Sequence, residues 1–298
     1  MKGRTLWLAA LLLLLGGIAV AQMAQEKWEE IDRLHDRDQH AEVLERLGEM
    51  NPAGSRERAE LLWREARARF SQVDLGLYAG EISEEEAMRR LEEIQALAQE
   101  AVEAAAGTPP AQAYFWRGAA RAKRGELKGV LNALFMADDL QEDLRSAVRA
   151  DPSYSNPYYV AGQLYHRVPG FPISFGDTSG AVSFSRKSVE LHEEAYDARE
   201  VTVRYWDYYV KLAEHLLARG WSSRRRERKQ EDMAEERAAA DSPFEQARYF
   251  EGTLSRPEQS DEEEAKELLN RVIEGIEAAG SIDLRGRRTL EDARELLD

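Results

Sequence analysis

The sequence predicts an all-α protein built from antiparallel helix pairs, and three observations support this prediction. Capping boxes mark helix starts at residues 83–86 and 260–263, where a serine hydroxyl and a glutamate three positions later can satisfy unpaired backbone N–H groups. Beyond each start, apolar residues recur at spacings of three and four, as on one face of a helix. No run of five or more residues alternates apolar and polar side chains with β-branched enrichment, so we expect strand content near zero.

The first element, at residues 1–21, has the composition of a secretory signal peptide. Lys2 and Arg4 precede the uncharged segment 6–21, which ends in Ala19-Val20-Ala21. A basic start, an apolar centre and small residues before the cleavage point are typical of such signals. The segment is short for a transmembrane helix, which needs about 20 residues. We expect cleavage after residue 21; the alternative is an uncleaved anchor, which would be the only membrane contact.

The composition places limits on chemistry and partners. The chain has no cysteine, so disulfides, thiolate metal sites and the acylated cysteine of a bacterial lipoprotein are excluded. We therefore expect a protein of the periplasm or cell envelope that is not a lipoprotein. The net charge of −15 repels nucleic acid, and we expect no nucleic-acid partner.

One basic segment departs from this acidic composition. It contains Arg219, Arg224, Arg225, Arg226, Arg228 and Lys229. In an exported acidic protein we expect a solvated helix start or a docking site for an acidic partner.

The middle of the chain follows an imperfect repeat. Many stripe residues are alanine or glycine, and such helices approach closely and must stack on neighbours, as in a solenoid. The tetratricopeptide pattern has a large residue at position 4, small residues near 7 and 8 and an aromatic residue at 11. The matching residues are Tyr158, Ala161, Gly162 and Tyr165, counted from Ser155, and Tyr114 and Gly118, counted from Ala111.

We therefore predict a degenerate tetratricopeptide-repeat helical solenoid over residues 22–255, with 256–298 as a C-terminal helical segment packing on it or trailing it. Residues 60–70 and 201–217 are expected to be the first helices of an earlier and a later unit. Gly125 is expected to end a helix, and the helix after it to be extended by about the segment 132–141. Gly118 and Gly162 are expected where helices cross closely.

A loop at residues 168–177 interrupts the repeat. Its two prolines and two glycines exclude a helix and make it stiff. Because Phe171, Ile173 and Phe175 would otherwise expose apolar surface, we expect the loop to fold back onto the protein and to close one mouth of a cavity. Asp177 is placed to cap a helix that starts near Thr178.

These residues resemble a known family. Pro169-Gly170-Phe171-Pro172 followed by Phe175-Gly176-Asp177 is similar to the "PG.P..FGD" turn of the TatT-like proteins, the T components associated with tripartite ATP-independent periplasmic (TRAP) transporters. The resemblance covers roughly residues 26–255. Agreement extends to residues 60–63, 114–118, 150–152 and 162–165 and to the over-long helix before 150–152.

The resemblance implies a periplasmic protein whose degenerate helical repeats surround a central apolar cavity or pore. It implies transfer of a hydrophobic ligand to a TRAP substrate-binding protein, and in some members a trimer, so a homo-oligomer is an open option. Family members are often lipid-anchored through a cysteine, which this chain lacks.

Catalytic motifs are not evident. His192-Glu193-Glu194-Ala195-Tyr196 begins like a zinc-binding HExxH helix, but Tyr196 occupies the second ligand position. His35 and His40 are five residues apart, and we expect them on a solvated face. There is no glycine-rich phosphate loop of the Walker or GxGxxG type. We expect no enzyme, no metal and no cofactor.

A concentration of aromatic and polar residues between 114 and 209 suggests a binding site. Tyr158 and Tyr165 are expected in the core. Aromatic walls with a few hydrogen-bonding groups suit an organic-acid or lipid-like ligand. The candidate ligand- or partner-binding residues are Trp116, Arg117, Asn132, Asn156, Tyr159, His166, Phe171 and Phe175.

Two functions are consistent with these features. The first is an exported accessory protein of a TRAP-type uptake system, which binds the substrate-binding protein and a hydrophobic or organic-acid ligand. The alternative is a general protein–protein interaction scaffold of the cell envelope.

Overall fold

A computed structural model describes residues 26–254, 259–280 and 282–298, without the side chains of 130–133. In these ranges the chain is helical and contains no β-strand, which confirms the all-α prediction. The signal segment 1–21 lies outside the described residues. None of the described helices is both long and apolar enough to span a membrane.

The chain divides into two compact units, Met1–Asn51 and Pro52–Asp298. The first contains helix α1 (26–36) and helix α2 (His40–Gly48). Its buried apolar residues include Ile31, Val43 and Leu47. The expectation of a solvated face for His35 and His40 is wrong: both are buried, and their rings lie 4.9 Å apart across the turn that joins the two helices.

The second unit contains eleven helices and a single 3₁₀ turn among its described residues. In chain order they are α3 (Ser55–Tyr78), α4 (Glu84–Ala104), α5 (Ala111–Lys128), α6 (Val130–Ala150), α7 (Asn156–Arg167), α8 (Thr178–Asp197), α9 (Trp206–Arg219), α10 (Ser223–Ala239), α11 (Pro243–Arg248), the 3₁₀ turn Phe250–Thr253, α12 (Asp261–Ala278) and α13 (Leu284–Leu297).

The two predicted capping boxes differ in the structure. At α12, the Ser260 hydroxyl accepts from the Glu263 N–H while the Glu263 carboxylate accepts from the Ser260 N–H, which completes the box. At α4, Ser83 accepts from the Glu86 N–H, but the Glu86 carboxylate binds two arginines of the next turn instead. Competition from these arginines therefore leaves a single serine cap at α4.

Two predicted helix boundaries are wrong. Helix α5 continues past Gly125, which is buried within the helix, and its last residue is Lys128. Gly129 follows with a φ of 88°, which ends the helix. Helix α9 begins at Trp206 and not at residue 201, because the chain before it is held to α8 by a hydrogen bond from the Tyr205 N–H to His192. The predicted helix extension before residue 150 lies within α6.

The helices from α3 to α9 each pack against the next, and the odd-numbered helices α3, α5, α7 and α9 also contact one another in sequence. Close crossings occur at the two predicted glycines. A Cβ atom at Gly118 would lie 3.0 Å from the Cβ of Asp143 in α6, and one at Gly162 would overlap the Ser185 hydroxyl in α8. Tyr158 and Tyr165 are buried in the core, as expected.

The C-terminal helices complete the second unit. Helix α12 packs on α9, and α13 packs on both α9 and α12. The last helix also contacts the first helix of the unit: the Tyr78 hydroxyl in α3 donates to Glu291 in α13 over 2.5 Å, and Arg288 in α13 pairs with Asp74 in α3. The unit is thus closed by contacts between its two ends.

Candidate interaction site

The loop between α7 and α8 is fixed at its base by backbone hydrogen bonds. The Gly176 N–H donates to the Pro169 carbonyl over 2.9 Å, and the Asp177 N–H donates to the Tyr165 carbonyl over the same distance. A Cβ atom at Gly176 would overlap the Val168 carbonyl oxygen, so this close approach requires glycine. The base is therefore a defined structure and not a free connector.

Side chains reinforce the base of the loop. The Asp177 carboxylate accepts from the Ser179 N–H over 3.0 Å, which caps α8 as predicted. The same carboxylate pairs with Arg248 of α11 over 3.0 Å. Phe175 packs on the core, with its ring 5.1 Å from that of Tyr165. These contacts hold the loop against three helices.

The tip of the loop is exposed, contrary to the expectation that the whole loop folds back. Phe171 is 94% exposed and Ile173 is 71% exposed. The Ile173 N–H donates to the Gly170 carbonyl over 3.1 Å, so the tip turns on itself and projects from the base. Only Phe175, which follows this turn, reaches the core. We call Phe171 and Ile173 the apolar tip.

Phe135 of α6 is a third large apolar side chain in solvent, at 85% exposure. Gln141 of α6 donates to the Tyr165 hydroxyl of α7 over 2.8 Å, which fixes the alignment of these neighbouring helices. Phe135 lies on the N-terminal side of this contact along α6. The apolar tip lies on its C-terminal side, beyond the end of α7. Since the short segment 151–155 joins α6 to α7 as antiparallel neighbours, Phe135 and the tip lie at the same end of the unit.

The candidate residues of α5 belong to the packing between helices. Trp116 is buried, with its ring 5.4 Å from that of Phe70 in α3. Arg117 binds the Asp143 carboxylate through Nε over 2.8 Å. The two side chains therefore leave α5 on different sides and do not meet in one site. The side chain of Asn132, a further candidate, lies outside the described residues.

The candidate residues of α7 face different surroundings. Asn156 is the first residue of the helix and is half-buried. Tyr159 stacks on Tyr208 of α9, with 4.4 Å between ring centroids, and burial together with the neighbouring Asp207 raises the pKa of the Tyr159 hydroxyl well above its usual value. The ring of His166 lies 4.7 Å from that of His215 in α9. Tyr159 and His166 thus belong to the contact between α7 and α9.

A buried hydrogen bond lies beside this contact. Ser185 Oγ of α8 and His215 Nδ1 of α9 are 2.8 Å apart, and both residues are fully buried. Burial lowers the pKa of His215 to about 3, so the imidazole is neutral at neutral pH. The pair resembles a catalytic Ser–His arrangement in distance, but a substrate has no access to a buried hydroxyl at a helix crossing.

The site combines exposed apolar side chains with a loop base that is fixed by hydrogen bonds. Among the described residues, no group of three or more His, Asp or Glu side chains is arranged to hold a metal ion. Sequence reasoning missed Phe135, although an apolar residue beside the acidic pair Asp138 and Asp139 could have indicated an exposed position. The chain matches no protein-family model and no curated protein sequence.

Proposed function

We propose that the chain is an exported helical-repeat protein that acts by binding, as an accessory component of a TRAP-type periplasmic uptake system. Its partner in this proposal is the substrate-binding protein of that system, and a hydrophobic or organic-acid ligand is a further candidate. The family resemblance of the 169–177 loop suggests the system. The apolar tip supports the binding mode.

The packing of the second unit is consistent with a tetratricopeptide-type solenoid. Each helix from α3 to α9 packs on the next, and alternate helices form a second set of contacts. Stacked helix pairs of this kind present extended surfaces for partners. We infer that the 169–177 loop and the long helix α6 are departures from the repeat that serve recognition.

The exposure of the apolar tip is the observation that carries the proposal. Burying a Phe or Ile side chain contributes about 1.5–3 kcal/mol, so leaving both in water has a cost that the folded chain alone does not recover. The anchored base limits the conformations that the tip loses on binding. Exposed apolar side chains held in this way are typical of protein-interaction sites.

The proposal is tested with the double variant Phe171→Ala/Ile173→Ala and the TRAP substrate-binding protein of the same organism. We expect the wild-type chain to bind in calorimetry. The affinity of the variant should be lower by about tenfold or more, because apolar contact area has been removed. The melting temperature should change little, because both side chains lie in solvent. Ile282→Ala removes an exposed apolar side chain elsewhere and serves as the matched control. Absence of wild-type binding, or equal binding by the double variant, would contradict the proposal.

A further inference from the structure

Helix α10 separates its basic residues onto two faces. Successive residues of an α-helix are about 100° apart, so Arg224, Arg225 and Arg228 share one side while Arg226 points away from them. The structure agrees with this geometry: Arg226 is buried, and the other three side chains are exposed. A single basic segment therefore has an inner and an outer face.

The arginine on the inner face forms ion pairs with carboxylates of the same chain. Arg226 lies 3.4 Å from Asp261 and 2.7 Å from Glu264, both in α12. Arg219, at the end of α9, pairs with Asp261 over 2.8 Å and also with Glu251. These buried arginines and carboxylates neutralise one another, so the inner face has no charge to offer a partner.

The outer face is different. No carboxylate among the described residues forms an ion pair with Arg224, Arg225 or Arg228, whereas exposed arginines of other helices, such as Arg69 and Arg89, pair with glutamates one turn away. The Arg225 guanidinium lies 4.9 Å above the Trp221 ring, which restricts its orientation. On a chain of net charge −15, this is a local concentration of positive charge.

We propose that the outer face of α10, formed by Arg224, Arg225 and Arg228, docks a carboxylate-rich segment of a partner protein. Charge complementarity supports the proposal: arginine guanidinium groups bind carboxylates through paired hydrogen bonds, and these three pair with no carboxylate among the described residues. The proposal does not depend on the apolar tip, which lies on the loop between α7 and α8.

A protein segment fits the outer face better than a membrane does. Binding to anionic bilayers through charge alone takes a cluster of about 4–8 basic residues, and the net negative charge of this chain opposes such binding. The exposed large apolar side chains among the described residues lie outside α10, so the helix has none to insert between lipids. The three guanidinium groups, of which Trp221 restricts that of Arg225, match a few carboxylates of one short segment.

The test uses a labelled decaglutamate peptide and the full mature chain at about 0.15 M salt, where long-range attraction is screened. The variant is Arg224→Glu/Arg225→Glu/Arg228→Glu. Acidic residues are favourable in the first turns of a helix, and Ser222 still caps α10, so the variant is expected to keep its fold. Because single exposed ion pairs contribute little, we expect the three reversed charges together to weaken peptide binding about tenfold or more.

The matched control is Arg56→Glu/Arg89→Glu/Arg149→Glu, which changes the net charge equally at exposed positions of α3, α4 and α6. It should bind the peptide within about twofold of wild type, because α10 packs mainly against α11 and the 3₁₀ turn and not against these three helices. Absence of wild-type binding, or equal weakening in the two variants, would overturn the proposal. The proposal would also be overturned if the chain bound only to phosphatidylcholine vesicles containing one third phosphatidylglycerol and not to the peptide. The same holds if the α10 variant lost self-association and showed no other change. None of these outcomes bears on the Phe171 test.

Discussion

Arg288 of α13 and Asp74 of α3 form an ion pair of 2.7 Å between residues 214 positions apart, joining the last helix of the second unit to its first. Lys123 of α5 lies 3.0 Å from the same carboxylate. Burial raises the pKa of Asp74, but attraction to Lys123 and Arg288 outweighs it and holds the pKa below its usual value. Asp74 is therefore ionised at neutral pH and ties together three helices.

Removing this contact should loosen the closure of the unit. We expect Arg288→Ala to lower the free energy of unfolding by only about 0.5–1 kcal/mol at pH 7, because both groups retain contact with water and Lys123 remains. Hydrogen exchange of α13 amides should increase more than that of α5. Arg287→Ala, at the adjacent exposed position, is the control and should change neither quantity. Unaltered exchange in α13 would show that the pair does not hold the helix.

The pH dependence of the Asp74 contribution follows from its lowered pKa. The stabilisation is fully present above the unfolded pKa, near 3.9, and is lost as pH falls through the lower folded value. In urea unfolding, wild type and Arg288→Ala should therefore differ at pH 7 and converge in strong acid.

The crossing of α7 and α8 should not tolerate a side chain at Gly162. A Cβ atom there would overlap Ser185 Oγ and lie 3.1 Å from the Ala181 carbonyl oxygen, so the helices would have to separate. We expect Gly162→Ala to lower the unfolding free energy by about 1–3 kcal/mol, as overpacking does. Gly48→Ala, with no atom within 4 Å of the added Cβ, should be neutral or stabilising. Equal melting temperatures for Gly162→Ala and wild type would mean that the crossing is looser than described.

Buried His215 should make the protein less stable in mild acid. Its folded pKa of about 3 lies below the unfolded value of 6.5, so between these values the unfolded chain binds more protons. Stability is then lost as pH falls from 6.5, by up to about 1.4 kcal/mol for each pH unit. We expect His215→Asn to be less stable than wild type at pH 7 but to lose less stability between pH 7 and pH 5.

The control for this measurement is Ser185→Ala, which removes the hydroxyl beside His215 but keeps the buried imidazole. It should still lose stability in mild acid, because burial, the main cause of the lowered His215 pKa, remains. An unchanged pH dependence in His215→Asn would indicate that His215 gains its proton in the folded state.

Local features of the chain could be predicted, and long-range ones could not. The crossings at Gly118 and Gly162 were predictable because a small residue at a fixed repeat position has one main packing role. The Arg288–Asp74 pair could not be predicted, because the sequence near either residue does not indicate which residue 214 positions away will form the ion pair. The pairing of Arg219 and Arg226 with α12 was missed for the same reason, and the basic segment was expected to be a solvated helix start or a docking site for an acidic partner.

The candidate site shows a similar division. Phe171, Ile173 and Phe175 have similar hydropathy and alternate along the loop, so burial was predicted for all three side chains. Their exposure is decided by the Ile173–Gly170 hydrogen bond, which turns the tip outward, and by the Asp177 contacts that seat Phe175 on Tyr165. Trp116 and Arg117 were candidates by composition, but helix packing places them on different sides of α5.

The most direct test of partner binding through the apolar tip is site-specific photo-cross-linking. Benzoylphenylalanine would replace Phe171 in one variant and Ile282, an exposed apolar position elsewhere, in the other. With the TRAP substrate-binding protein of the same organism, we expect a covalent adduct from position 171 and none from position 282. An adduct at 282 only, or none at 171 while calorimetry detects the complex, would contradict the claim that the tip is the binding site.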